Sequence, residues 1–278
     1  MIIGNMEFDF SRGKSYIVGI LNITPDSFSD GGRYTNIDAA LCQVERMVLE
    51  GADLIDIGGE STRPGYTAIS EQEEIERIVP AIERIKANCN IPISVDTYKW
   101  KVAEAAINAG ADMINDIWGL EHADDMEHRM AKIIAKENVP VCLMHNRKEG
   151  LNCEKEEEFV DMLMKDMKRK IQFAIENGIK KDKIILDPGV GFAKSLNENK
   201  WCIPAIKNLK QLGYPVLLGI SNKSMIGMIS NLSVEQRKEG TIALNVLGRQ
   251  YGCEFFRVHD VRSNKRALDV VDAILYKE

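Results

Sequence analysis

No apolar run in the chain approaches the ~20 residues that a membrane span needs. Met1 to Ser15 carries charge on both sides of a very short apolar patch, so it reads as neither a signal peptide nor an anchor. A clustered basic excess is missing too: the net charge is -6, from interspersed Lys, Arg, Asp and Glu, which argues against a nucleic-acid surface. Cys42, Cys89, Cys142, Cys153, Cys202 and Cys253 are scattered. None forms a C-x-x-C pair. Free thiols in a reducing compartment are the economical reading, and the expectation is a soluble, cytoplasmic protein. There is no break in composition and no glycine fingerprint after the first strand, which an open dinucleotide-binding sheet would carry.

What is present is a repeat. Short β-branched runs recur at intervals of about thirty residues, each followed by a helical pattern, the alternation that builds parallel sheets. The predicted strands are Tyr16–Asn22, Leu54–Ile57, Ile91–Val95, Met113–Asp116, Val139–Met144, Lys183–Leu186, Val216–Gly219 and Glu254–Val258. Amphipathic stretches between them include Asp38–Glu50, Glu71–Ala87, Lys99–Ala109 and Glu156–Glu176. Glycine follows several of these, at Gly51, Gly110 and Gly178, as suits a left-handed helix stop. Pro92, Pro140 and Pro215 open strands, where a missing amide donor costs least. Eight such units in 278 residues predict a (β/α)8 TIM barrel, an α/β fold occupying the chain as a single domain over 1–278.

Each strand ends on a residue poorly suited to a core. In order these are Asn22; Gly58 to Gly65; Asp96-Thr97; Asn115-Asp116; His145-Asn146; Asp187-Pro188-Gly189; Ser221 to Ser224; and Arg257-Val258-His259-Asp260. Any one could cap a helix or make a turn. A barrel gathers all of them at one mouth, where active sites lie. The first two loops, Thr24–Gly32 and Gly58–Gly65, are long, polar and glycine-rich, as loops that close over a substrate are. Arg63 and Arg257, with His259, could clamp a phosphate-bearing group through forked donors. Asn22 and the acidic first loop could hold a hard cation, the sparse coordination magnesium takes when phosphates supply the remaining ligands. Asp96, Asn115 and Asp187 offer acceptors and an amide for the ring N–H groups of a guanine-like or pterin-like edge, with Lys223 donating to a ring carbonyl. The alternative is that Asp96 and Asp187 are structural acids paired with Lys223. His145 and His259 do not read as a zinc pair, and His122 and His128 read as exposed residues on a helix.

These strings resemble the dihydropteroate synthase family, one motif per strand end and in order. The longest are Gly19-Ile20-Leu21-Asn22-Ile23-Thr24-Pro25-Asp26-Ser27-Phe28-Ser29-Asp30-Gly31-Gly32 and Asp56-Ile57-Gly58-Gly59-Glu60-Ser61-Thr62-Arg63-Pro64-Gly65. The resemblance implies a transferase of folate biosynthesis that joins a pterin diphosphate to p-aminobenzoate, with magnesium as cofactor and a homodimer as assembly. It implies that Asp96, Asn115, Asp187 and Lys223 hold the pterin and that Asn22 binds the metal. Thr62, Arg63, Arg257 and His259 would hold the diphosphate. Ser224 would take the carboxylate of p-aminobenzoate, with Phe192 and Pro64 flanking its ring; Asp96, Lys223 and Arg257 would carry the catalysis. The chain departs from the family at Asn222, where arginine is usual, and at Ala193, where glycine is common. Two rivals are a pterin-binding methyltransferase with a corrinoid partner and a non-catalytic pterin-binding protein. The first would not need Arg63, Arg257 and His259, and the second would not need every diphosphate position intact.

Overall fold

The computed structural model describes residues 1–23, 33–60 and 68–276. The barrel strands are β3 (Tyr16–Asn22), β4 (Leu54–Gly58), β5 (Ile93–Asp96), β6 (Met113–Asp116), β7 (Val141–Met144), β8 (Ile184–Asp187), β9 (Leu217–Leu218) and β10 (Phe255–Val258). They are parallel and hydrogen-bonded in the order β8-β7-β6-β5-β4-β3-β10-β9. A parallel bridge between Leu186 and Val216 joins the two ends, and the Leu186 amide donates to the Pro215 carbonyl at 3.0 Å. The eight-stranded sheet is thereby closed into the predicted barrel. β9 is shorter than the sequence predicts because Val216 contributes only this bridge. Pro92 and Pro140 likewise accept from Ile55 and Ile114 just before their strands start, so an absent N–H costs the ladder nothing.

Ten helices surround the strands among the described residues: α1 (Arg33–Leu49), α2 (Glu71–Asn88), α3 (Trp100–Asn108), α4 (Arg129–Glu137), α5 (Glu156–Glu176), α6 (Leu196–Trp201), α7 (Ile206–Lys210), α8 (Ser224–Ser230), α9 (Lys238–Gln250) and α10 (Val261–Leu275). None is long and apolar enough to cross a membrane. The predicted glycine stops hold: Gly51, Gly110 and Gly178 have φ of 99°, 108° and 93°.

The expected helix around His122 and His128 is not formed. Asp116 captures the amides of Trp118 and Leu120, both at 2.8 Å, and Gly119 and Leu120 turn to φ of 58° and 70°. Such a turn cannot propagate as a right-handed helix. Asp125 then caps α4 by accepting from the Arg129 and Met130 amides. His122 is half-buried rather than exposed, its ring 4.5 Å from that of Tyr98.

Inside the barrel the lower layers are apolar. Tyr16, Val18, Leu54, Met113, Cys142, Ile185, Leu217 and Phe255 form one buried cluster. A short hairpin, β1 (Ile2–Ile3) with β2 (Met6–Glu7), closes it from below through Ile3 and Phe8, both fully buried. The Phe8 ring lies 4.8 Å from Tyr16 and 5.4 Å from Phe255. Burying a side chain of this size contributes roughly 1.5–3 kcal/mol.

Candidate active site

Side chains of a strand alternate between faces, so the residue two places beyond an inward apolar one also points inward. Leu54 leads to Asp56, Met113 to Asn115, Ile185 to Asp187 and Phe255 to Arg257, and by the same parity the polar Ser94 leads to Asp96. The upper layer is therefore polar, and register brings its members side by side: Asn115 pairs with Asp96, and Asp187 with Met144. Arg257 donates through Nε to Asp56 Oδ2 at 2.5 Å and through Nη2 to Asp96 Oδ2 at 2.8 Å. Asn115 Nδ2 donates to Asp56 Oδ2 at 3.2 Å. Asp187 Oδ1 accepts from the Gly189 amide at 2.7 Å. The three acceptor acids, Asp56, Asp96 and Asp187, are buried, and so is Asn115.

This floor is not saturated. Asp56 Oδ1, Asp96 Oδ1 and Ser94 Oγ are buried without a hydrogen-bond partner among the described residues. A buried polar atom left unmatched costs about 1–3 kcal/mol, so such a set is poised for a donor-bearing ligand. Burial pushes the Asp96 carboxyl up to about 7, against the pull of Arg257 and with help from Asp56. Burial also raises Asp187, opposed by the Gly189 amide and Lys223. Lys223 is drawn down to about 8 by burial and by the charge of Arg257. Arg257 itself is held above its ordinary value: burial works against its charge, but Asp56 and Asp96 outweigh it.

Lys223 stands at the rim, just before α8. It runs along Gly191, whose φ of 86° and missing Cβ leave room for it, and its Nζ lies 4.4 Å from the centre of the Phe192 ring. Among the described residues it forms no ion pair with Asp96 or Asp187, so the alternative pairing of those acids with Lys223 is not the one found. Ser224 begins α8 and is exposed. His259 is exposed beyond β10, with Nδ1 2.9 Å from Ser221 Oγ. His145 is buried and tied to Asp166, and burial lowers it to about 4. Asn22 ends β3 with its Oδ1 turned toward Gly58. The described residues contain no group of three His, Cys, Asp or Glu that could cage a metal. Thr62, Arg63 and Pro64, like the first loop from Thr24 to Gly32, lie outside the described residues.

Sequence reasoning missed Asp56. The available signal was parity: an acid two residues beyond Leu54, within a strand otherwise apolar on both faces. The two departures from the family pattern have a backbone meaning. Asn222 and Ala193 adopt φ of 57° and 44°. Asparagine tolerates that left-handed region better than most side chains, whereas alanine is strained there, as glycine would not be. Arg237 donates to the Asn222 carbonyl and Thr241 Oγ1 accepts from its amide, which holds the turn before Lys223.

Residues 18–259 match the pterin binding enzyme family. A dihydropteroate synthase of Clostridium beijerinckii is 52% identical over 276 residues, 99% of each chain. The structure of a dihydropteroate synthase of Clostridium difficile in the presence of pteroic acid superposes with a TM-score of 0.91 at 45% identity, covering 98% of this chain and 100% of that one. The Xanthomonas albilineans dihydropteroate synthase with 4-aminobenzoic acid gives 0.88 at 40% identity, covering 95% and 94%. With residues in sequence and a barrel mouth in space leading to the same place, the chain belongs to the pterin-binding enzyme family, among its dihydropteroate synthases.

Proposed function

We propose that the mouth of this barrel, the whole chain acting as one pterin-binding unit, condenses 6-hydroxymethyl-7,8-dihydropterin diphosphate with p-aminobenzoate to give 7,8-dihydropteroate and diphosphate. The observation that carries the assignment of the site is the unsaturated acid floor: Asp96 Oδ1 is buried without a partner, beside Asn115 and Asp187. A 2-amino group and adjacent ring N–H of a pterin are the paired donors such carboxylates accept. Lys223 donates to the ring carbonyl from the rim. The relatives with pteroic acid and 4-aminobenzoic acid support a site of this size and chemistry.

In the reaction the bond between the pterin methylene and the diphosphate oxygen breaks, and its electron pair leaves with diphosphate. The lone pair of the aromatic amine forms the new C–N bond, and the amine proton passes to solvent. The ionised Asp96 faces the carbon framework that gains positive charge. Arg257 keeps Asp56 and Asp96 in place, and its remaining Nη1, with Arg63, Thr62 and His259, receives the leaving group. Preorganised charges of this kind act without reorganising during the step. Ser224 takes the carboxylate of p-aminobenzoate, and Phe192, packed under Lys223, flanks its ring.

Asn22 fits magnesium: one hard oxygen at a strand end, without an all-protein cage, leaves the other positions for water and phosphate oxygens. When bound, the ion supplies positive charge against the diphosphate. We further propose a homodimer in the cytoplasm; six free cysteines suit a reducing compartment.

Ser224, which takes the carboxylate of p-aminobenzoate, is exposed at the rim, so this site depends on the first substrate to complete it. Labelled p-aminobenzoate should bind measurably only when diphosphate and magnesium are present, because a site rarely complete binds in proportion to its population. Equal affinity without them would defeat this ordering.

A further inference from the structure

Helix α5 packs inward through Phe159, Leu163, Met167, Ile171 and Ala174, yet two charged residues share its buried side. Asp166 is 4% and Lys170 1% exposed. Burying charge on an outer helix is costly unless each group is matched, and both are matched to loops of the mouth.

Lys170 Nζ donates to the Trp118 carbonyl at 2.6 Å and to Glu121 Oε2 at 2.8 Å, both in the turn after β6. That turn is already held from the other side by Asp116. At its apex is Gly119, where an added Cβ would come within 2.8 Å of the Met144 carbonyl and 3.0 Å of Lys170 Cδ. The turn is thus pressed between the end of β7 and the lysine. It presents Ile117 and Trp118, which pack with Tyr98, Met144 and Phe192. Asp166 fastens the next loop: Oδ2 meets His145 Nε2 at 3.1 Å and Arg147 Nε at 2.6 Å, and Oδ1 meets Arg147 Nη2 at 3.1 Å. His145 directly follows Met144, which pairs in register with Asp187 and so borders the acid floor.

We infer that Asp166 and Lys170 are positioning residues for the pterin: from outside the pocket they set the Ile117–Trp118 and Met144 walls that confine the ring over Asp96, Asn115 and Asp187. This rests on the pterin assignment above. The function explains why a helix whose packing needs only apolar residues there carries two buried charges instead. A frame that holds walls should act on binding of the ring, whereas a purely structural pair would act on the amount of folded protein.

Lys170→Met and Asp166→Asn would be assayed for the pterin diphosphate KM and for kcat separately, on protein checked by circular dichroism. The expected result is a KM raised about tenfold in each, with kcat changed less than about threefold. Lys210→Met serves as the control: Lys210 joins Glu254 and the Tyr214 carbonyl, away from these walls, and its loss should lower the melting temperature with KM unmoved. A wild-type KM in the α5 variants, with only their melting temperatures lowered, would overturn the inference. Should Lys170→Met not fold, Glu121→Gln leaves the lysine–carbonyl bond and weakens its second anchor. It should raise KM about two- to threefold, and a wild-type value in it and in Asp166→Asn would be the overturning result. Asp187→Asn run in parallel separates the two readings, since an unchanged KM there would take Asp187 out of the pterin site on which this inference rests.

Discussion

The lower and upper halves of the barrel interior come from the same strands, two residues apart, and they behave as opposites. Below, Leu54, Met113, Ile185 and Phe255 interlock with Ile3 of the hairpin and with Phe8 just beyond it into an apolar plug. Above, the buried Asp56, Asn115 and Asp187 and the half-buried Arg257 form a polar layer with acceptor atoms to spare. The lower half spends its burial on stability. The upper half withholds part of its hydrogen bonding, which a ligand then completes. Active sites are where such local conflicts with good packing collect.

The largest break in this contrast should come from Arg257→Met. It takes the cation from between Asp56 and Asp96 and leaves two buried acids uncompensated, a loss of about 3–5 kcal/mol at neutral pH. Urea unfolding measures it, and a variant as stable as the parent would mean that the upper layer is solvated as it stands.

Asp187→Asn should leave the fold intact and the pterin weakly bound. An amide cannot accept two ring donors as a carboxylate can, and removing one partner of a buried charged hydrogen bond costs about 2–5 kcal/mol. Near-normal pterin affinity by calorimetry would take Asp187 out of that role.

Acid sharpens the comparison, since only the upper layer titrates in the neutral range. The folded-state value of Asp96, about 7, lies above the unfolded one of about 3.9. Between these values the folded protein holds more protons, so the contribution of Asp96 to stability falls as pH rises through that window. Ring donors require the ionised form, so pterin binding at about pH 6 should release a proton, and affinity should rise toward neutrality. Binding heats in two buffers of different ionisation enthalpy report this release; proton uptake, or none, would contradict it.

The smallest effect lies at the rim. Ala193→Gly relieves a left-handed backbone that costs an L-residue roughly 1–2 kcal/mol, partly offset by the greater freedom of glycine when unfolded. A net gain of about 1 kcal/mol or less is expected from denaturant unfolding, and a destabilised variant would show that the alanine methyl makes contacts worth more than the strain.

Much of this architecture is legible in the sequence alone. β3, β6 and α5 fall on the predicted residues, because apolar runs and helical periodicity are local patterns. The polar strand ends likewise follow from where each run stops. The turn around His122 is not legible in the sequence because its cause is a single buried carboxylate, Asp116, competing for amides that a helix would use. Lys170 and Asp166 were hidden in a charge-rich stretch where periodicity cannot tell a solvated charge from a buried one.

By itself the sequence determined the eightfold alternation, the apolar lower interior and the polar upper ends, because face and period are properties of neighbouring residues. Only the tertiary structure decided which charges meet. Arg257 reaches Asp56 across 201 positions and Asp96 across 161, contacts that exist because closing the barrel sets β10 near β4 and β5. No local pattern carries that information: the pairing energy appears only once distant strands share one low-dielectric interior, where an unmatched charge is too costly to leave.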